Sequence, residues 1–110
     1  MDFKSFMRSS LDAKKTTDFM DGNKINMSTI MDRGGFMNIY QFKIIKTATQ
    51  ELVAVDIGDN EWIFAPSQLA RILIDYYNEY HATKMDEIVK VKFESVPYKD
   101  SHVYNITDIE

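Results

Sequence analysis

The chain has 110 residues, of which 45% are hydrophobic and 27% are charged, and it contains no cysteine. These proportions are typical of one soluble globular domain, and the lack of cysteine excludes a disulfide framework and a Cys-based zinc site. The net charge of −4 argues against a protein coated with basic groups for gripping duplex DNA, but it leaves room for a local basic face. We find no secretory signal and no apolar run of about 18 residues, so we expect a cytoplasmic protein that does not enter the membrane.

The first 35 residues are predicted to form an N-terminal arm. Four apolar side chains fall on one face of a helix predicted over residues 1–14: Phe3, Phe6, Met7 and Leu11. Residues 15–24 are predicted to be a loop, and residues 25–31 either a short edge strand or a continuation of that loop. Gly34 and Gly35 then mark a break, so the main domain is predicted to span residues 36–110.

This main domain is predicted to contain five strands and one helix. Runs of aromatic and β-branched residues, or alternation of apolar and polar residues, are typical of strands and occur over residues 36–46, 51–57, 61–65, 85–96 and 102–109. Between the third and fourth strands, Pro66 or Ser67 begins a helix that we expect to run to about His81, with an apolar stripe along one side.

The order strand, strand, strand, helix, strand, strand places a single helix in the middle of a mainly β chain. The OB-fold, a five-stranded Greek-key barrel, has its helix at this point of the order. We therefore predict an OB-fold-like five-stranded barrel. The same order fits an α+β antiparallel sheet with one helix packed across a face, because closure of a sheet is not written in the sequence.

The sequence carries none of the common enzyme signatures. GxGxxG, HExxH, GxSxG and the phosphate-binding pattern GxxxxGK followed by Ser or Thr are all absent. The two histidines, His81 and His102, are far apart in sequence, and Glu79 and His81 lack the i, i+4 spacing that aligns two metal ligands on a helix. We therefore predict a protein that is not an enzyme, with no catalytic residues, no metal site and no cofactor.

Lysines and aromatic residues adjoin one another on several predicted strands. Surfaces that bind single-stranded nucleic acid combine these residue types, because bases stack on rings and phosphates contact Lys or Arg. The candidates come from the first, third and fourth strands and from the loop at residues 97–101: Tyr40, Lys43, Trp62, Lys90, Lys92, Tyr98 and Lys99. They predict a surface that binds single-stranded DNA without sequence preference.

The same residues have ordinary structural explanations. Alternating lysines such as Lys90 and Lys92 are found on the solvent face of any antiparallel sheet, where they also protect an edge. Trp62 and Phe64 share one face of their short strand, so both could belong to the core. Because the overall charge is negative, we expect modest affinity from one copy, and hence a functional homo-oligomer.

The chain has seven methionines, an unusually high number. Several lie before or at the first predicted strand: Met7, Met20, Met27, Met31 and Met37. Methionine commonly fills gaps in cores, and it also makes adaptable contacts on binding surfaces. A protein partner that contacts the methionine-rich arm is therefore an alternative to DNA, and the arm could wrap the domain or a second subunit.

The stretch EWIFAPSQLARIL passes from a short strand into a helix, and the chain closes with the pair IVKVKFES and YKDSHVYNI. These features resemble small OB-fold single-stranded DNA-binding proteins of phages and mobile elements, whose last hairpin often carries a basic loop and a tyrosine, as PYKDSHVY does. The resemblance covers residues 36–109 and implies a role in phage or mobile-element DNA replication or recombination, in the host cytoplasm. The alternative is a small phage-type protein that binds and modulates a host or phage protein.

Overall fold

The computed structural model describes residues 2–5, 7 and 18–110, and the chain from residue 18 onwards forms six strands and two α-helices. The strands are β1 (Asn23–Lys24), β2 (Phe36–Lys46), β3 (Glu51–Gly58), β4 (Glu61–Phe64), β5 (Lys84–Tyr98) and β6 (Ser101–Ile109), and the helices are α1 (Met27–Asp32) and α2 (Ser67–Tyr80). The five predicted strands are present as β2 to β6, and the predicted central helix is α2. The chain is therefore mainly β with one main helix, as predicted.

All six strands belong to one open, mixed sheet in the order β1-β4-β3-β2-β5-β6. β1 runs parallel to β4, while the other neighbouring strands are antiparallel. The predicted five-stranded barrel is not confirmed. β1 occupies the outer edge of β4 through the pairs Asn23–Glu61 and Lys24–Trp62, so that edge is not free to close onto β6. The open sheet with one main helix is closer to the α+β alternative, apart from the parallel strand.

The hydrophobic core lies between the two helices and one face of the sheet, which we name the inner face. Alternate residues of the four central strands are buried there, each no more than 3% exposed: Met37, Ile39, Phe42, Val53, Val55, Ile63, Val91 and Phe93. Leu69 and Leu73 of α2 pack against them, and the ring of Tyr76 meets that of Phe42 edge to face at 6.3 Å. Burial of this apolar stripe holds α2 across the inner face.

Residues 18–35 differ from the predicted arm. The segment predicted as an edge strand or loop, residues 25–31, contains the helix α1 instead. Met27 and Ile30 have the i, i+3 spacing of one helix face, and both reach the core, where Ile30 is 1% exposed. The N–H of Gly35 donates to the carbonyl of Ile30 and ties the end of α1 to the start of β2. This part of the chain therefore shares the core of the domain that follows it.

The beginning of the chain is described only in part. Residues 3–5 and 7 are helical, and the carboxylate of Asp2 accepts hydrogen bonds from the backbone N–H of Lys4 and the hydroxyl of Ser5, each at 3.1 Å. An Asp in this position caps the first turn of a helix, which agrees with the predicted start. The remainder of the helix predicted over residues 1–14 lies outside the described residues.

Candidate nucleic-acid interface

The face of the sheet opposite α2, which we name the outer face, carries an aromatic ring with two lysines beside it. Phe36 on β2 pairs directly with Lys92 on β5, and Asn38 pairs with Lys90. These residues alternate with the buried residues of the same strands, so their side chains project from the outer face. Lys90 Nζ lies 4.8 Å and Lys92 Nζ 5.3 Å from the centroid of the Phe36 ring, within the range of cation–π attraction. We name Phe36, Lys90 and Lys92 the Phe36 platform.

The platform is open to solvent and has carboxylates beside it. Phe36 is 40% exposed. Glu110 Oε2 lies 3.9 Å from Lys90 Nζ, and the two residues also exchange both backbone hydrogen bonds. Asp108 pairs with Lys92 across the strands. Exposed ion pairs of this kind contribute little to stability, but the carboxylates reduce the positive potential that the two lysines present to an anion.

Lys43 does not belong to the platform. It projects from the same face, but seven residues of strand, or about 23 Å, separate it from Phe36. Lys43 Nζ lies 3.0 Å from Asp18 Oδ2. The backbone N–H of Met20 and the Lys43 ammonium hold the pKa of Asp18 below its usual value. The charge of Lys43 is therefore already paired within the fold.

Tyr40 has a structural role beside the β3–β4 turn. Gly58 has a φ of 83°, and a Cβ at this position would lie 2.6 Å from the Tyr40 ring, so only glycine fits both the backbone and the close contact. Asp59 and Asn60 form the two-residue turn with φ values of 55° and 60°, typical of a type I′ hairpin. Tyr40 is 36% exposed, and its ring packs over this turn rather than beside the platform lysines.

Trp62 is not an exposed stacking ring, so this part of the prediction was wrong. The side chain projects from the outer face, opposite Asp56, but it is only 7% exposed. The 3-10 turn at Phe19–Asp21 and the adjoining Gly22 lie over it, and the indole Nε1–H donates to the Gly22 carbonyl at 3.2 Å. Phe64 packs against the ring edge to face at 5.0 Å. The ring therefore anchors the preceding segment and is not available to a base.

Tyr98 and Lys99 lie at the end of the β5–β6 hairpin. The predicted loop at residues 97–101 is a two-residue turn, because Tyr98 already pairs with Ser101, and Lys99 has a φ of 55°. Tyr98 is 57% exposed, and Lys99 Nζ lies 5.3 Å from its ring centroid. Six residues of strand separate Tyr98 from Lys92, a distance of about 20 Å. The hairpin end is therefore a separate feature.

The structure thus brings together two of the predicted residues, Lys90 and Lys92, and places them beside an aromatic ring that the sequence prediction omitted. Phe36 could have been noticed, because it is an aromatic residue at the solvent-facing position of a strand whose neighbour Met37 is apolar. The sequence could not show that Lys90 and Lys92 lie beside Phe36, because they come from a strand about fifty residues further along the chain.

A metal site and a membrane-spanning helix are both absent from the described residues. Among residues 2–5, 7 and 18–110, no three His, Asp or Glu side chains form a group that could hold a metal ion. The helices in this described part of the chain are all too short or too polar to cross a membrane. His81 ends α2 with a left-handed φ of 53° and its ring packs on Tyr77, whereas His102 lies on β6 opposite Pro97. The two histidines are therefore on separate elements.

Comparison with known proteins adds no relative. No protein-family model matches the chain, and neither the search of curated proteins nor that of solved structures found a match. The two observations that bear on function are therefore the geometry of the Phe36 platform and the sequence resemblance described above.

Proposed function

We propose that the protein binds single-stranded DNA without sequence preference, and that the contact is made at the Phe36 platform. One observation carries this proposal: an exposed aromatic ring has two lysine ammonium groups beside it, both within 5.3 Å of its centroid. A base stacks on such a ring whatever its identity, and ammonium groups beside the ring are placed to contact the flanking phosphates. The cation–π contacts of the free protein hold both lysines near that position.

The charges around the platform determine the expected affinity for DNA and its dependence on salt. The net charge is −4, and Glu110 and Asp108 lie next to the lysines. We therefore expect weak binding by one copy and a strong dependence on salt. Two phosphate contacts to single-stranded DNA correspond to a slope of about −1.4 in a plot of log K against log salt concentration. A homo-oligomer would multiply these contacts.

The biological setting comes from the sequence resemblance alone. Small single-stranded DNA-binding proteins of phages and mobile elements serve DNA replication or recombination, and we extend that role to this chain as part of the proposal. The open sheet supports the surface that such a role needs, because Phe36, Lys90 and Lys92 are exposed in the described part of the chain.

The test is a titration of labelled poly-dT of about 30 nucleotides, long enough to span more than one site, followed by fluorescence anisotropy at low and moderate salt. We expect saturable binding that weakens with salt. The double variant Lys90→Glu, Lys92→Glu should abolish it. The matched control is Lys46→Glu, Lys84→Glu, which makes the same change in net charge at two exposed lysines outside the platform and should retain most of the binding.

The aromatic contribution is tested separately with Phe36→Ala. Loss of one base-stacking ring should weaken binding by about 5- to 100-fold without changing the net charge. Equal losses in the two lysine double variants would mean that general charge, and not the platform, attracts DNA. A flat titration of the unmodified protein at low salt would reject DNA binding and favour the alternative of a protein partner.

A further inference from the structure

An apolar groove opens on the opposite side of the hairpin from the Phe36 platform. It holds about 260 Å³ between α2 and the strands β5 and β6, and its lining is wholly apolar. Residues on both sides contribute to it: Ile72, Tyr76, Met85, Val89, Ile106 and Ile109. Ile72 is 48% exposed and Ile109 is 66% exposed. Apolar side chains that line one open groove in this way mark an interaction site more often than isolated exposed residues do.

The chain also carries an exposed apolar helix face near Phe3. Phe3 and Met7 have the i, i+4 spacing that places two side chains on one side of a helix. They are 70% and 46% exposed. Asp2 caps this helical turn through its bonds to Lys4 and Ser5, so the turn has its own local stabilisation. An amphipathic helix that places such anchors into an apolar groove is a common mode of recognition.

From these two features we infer that the helix around Phe3 and Met7 of one copy docks into the α2–β5–β6 groove of a second copy, so that two chains exchange their N-terminal segments. Among the described residues of a single chain, the helix face is exposed and the groove is open, so each is available to the other. A twofold exchange forms both contacts at once, which doubles an interface that would be small if only one helix docked.

The docked segment also needs enough chain to leave its own domain. Asp18, where the described chain resumes, lines one cleft with Thr83 and Lys84, and Met85 follows them into the groove. Residues 8–17 number ten, and a chain of that length spans at most about 36 Å. The segment can therefore leave one domain and reach a neighbour that packs beside the same groove. The inference does not depend on DNA binding, because neither the groove nor the helix includes a platform residue.

The first test is the oligomeric state of the full chain by sedimentation equilibrium. We expect a dimer. The double variant Phe3→Glu, Met7→Glu should raise the dissociation constant of this dimer by about a hundredfold, and so should Ile72→Glu alone. Ile72 is half exposed, so the substitution should not disturb folding, which circular dichroism would confirm. The matched control is Tyr98→Glu, the same kind of change at an exposed aromatic residue outside the groove, and it should remain dimeric. An unmodified chain that stays monomeric at every concentration would overturn the inference.

The second test identifies which groove the helix enters, and the absence of native cysteine makes it simple. A chain with Met7→Cys is mixed with a chain with Ile109→Cys, and the mixture is oxidised. Disulfides form only when the two Cα atoms come within about 7 Å, so docking between copies should yield a heterodimer joined by one disulfide. If a chain with both substitutions forms only an intramolecular disulfide, the helix enters its own groove and exchange between copies is rejected.

Discussion

Two halves of the sheet are buried to different extents. In β3 and β4, which we name the covered half, successive residues are buried: Val53, Ala54 and Val55 are each no more than 1% exposed. In the hairpin half, β5 and β6, burial alternates around Lys92, which is exposed between the buried Val91 and Phe93, and no residue of β6 is fully buried. The core covers the inner face of both halves. In the described part of the chain, the turn at Phe19–Asp21 adds a second layer to the outer face of the covered half, where it lies over Trp62.

This difference shows where binding surfaces can exist in so small a domain. A strand buried on both faces has an almost continuous apolar sequence, whereas a strand buried on one face alternates. The described residues of the covered half therefore expose fewer side chains than those of β5 do. The hairpin half, together with Phe36 of β2, forms the Phe36 platform on one side, and together with α2 it forms the apolar groove on the other.

The largest expected change in the free energy of unfolding comes from a substitution on the outer face of the covered half. Ala54→Lys places an ammonium at a residue that is 0% exposed on the outer face of β3. Burying an unpaired charge should lower the free energy of unfolding by at least about 3 kcal/mol. Lys92→Ala, at an outer-face residue of β5, should change it by no more than about 0.5 kcal/mol. Urea denaturation followed by circular dichroism measures both, and similar values for the two variants would show that the outer face is equally open in both halves.

A smaller loss in the free energy of unfolding is expected at Trp62, which contacts the segment around Gly22. Trp62→Phe removes the indole N–H that donates to the Gly22 carbonyl and leaves a space beneath the turn. Together these losses should cost about 1–3 kcal/mol. Phe36→Leu is the matched aromatic substitution in the Phe36 platform, where the ring is 40% exposed, and it should cost less than about 1 kcal/mol. If Trp62→Phe is the milder of the two, Trp62 does not anchor the segment.

Some parts of the fold and of the candidate site could be predicted from the sequence, and others could not. The five main strands and α2 were predictable, because each is marked by local periodicity and by breakers such as Gly58 and Pro66. The Lys90 and Lys92 face was predictable from alternation on β5. The barrel was not, since closure depends on which distant edges meet, and β1 consists of only two residues. The burial of Trp62 was missed for the same reason: the segment that covers it lies forty residues earlier in the chain.

Helix α1 was missed for a different reason. Residues 25–31 are rich in Met and Ile, and their N-cap residue, Asn26, makes no side-chain capping hydrogen bond, so local propensity favoured neither helix nor strand. The structure resolves the choice through tertiary packing, because a helix lets Met27 and Ile30 reach the core together. Such tertiary preferences override weak local ones.

A modest gain in function should follow from removing a carboxylate beside the platform. Glu110→Gln abolishes the ion pair with Lys90, which is 3.9 Å long and exposed on both sides, and leaves Lys90 free for a phosphate. We expect the affinity for poly-dT to rise by about two- to fivefold. Glu51→Gln, the same change at the exposed start of β3, controls for net charge and should have a smaller effect. Equal gains from both variants would indicate that Lys90 is not a site of phosphate contact.

The smallest expected effect concerns acid stability, and it belongs to the covered half. Arg33, at the end of α1, donates two hydrogen bonds to the Glu61 carboxylate on β4, at 2.8 and 3.0 Å, and these hold the pKa of Glu61 below its usual value. A carboxyl whose pKa is lower in the folded state stabilises the fold above its unfolded pKa of about 4.3, and this stabilisation is lost as the pH falls through the folded value. In Arg33→Gln the urea midpoint should therefore fall less steeply between about pH 5 and about pH 3 than in the unmodified chain. Lys46→Gln removes one positive charge from an exposed residue at the end of β2 and should leave the slope unchanged. If both variants give the same slope, general charge balance and not the Arg33–Glu61 pair determines the acid sensitivity of this half.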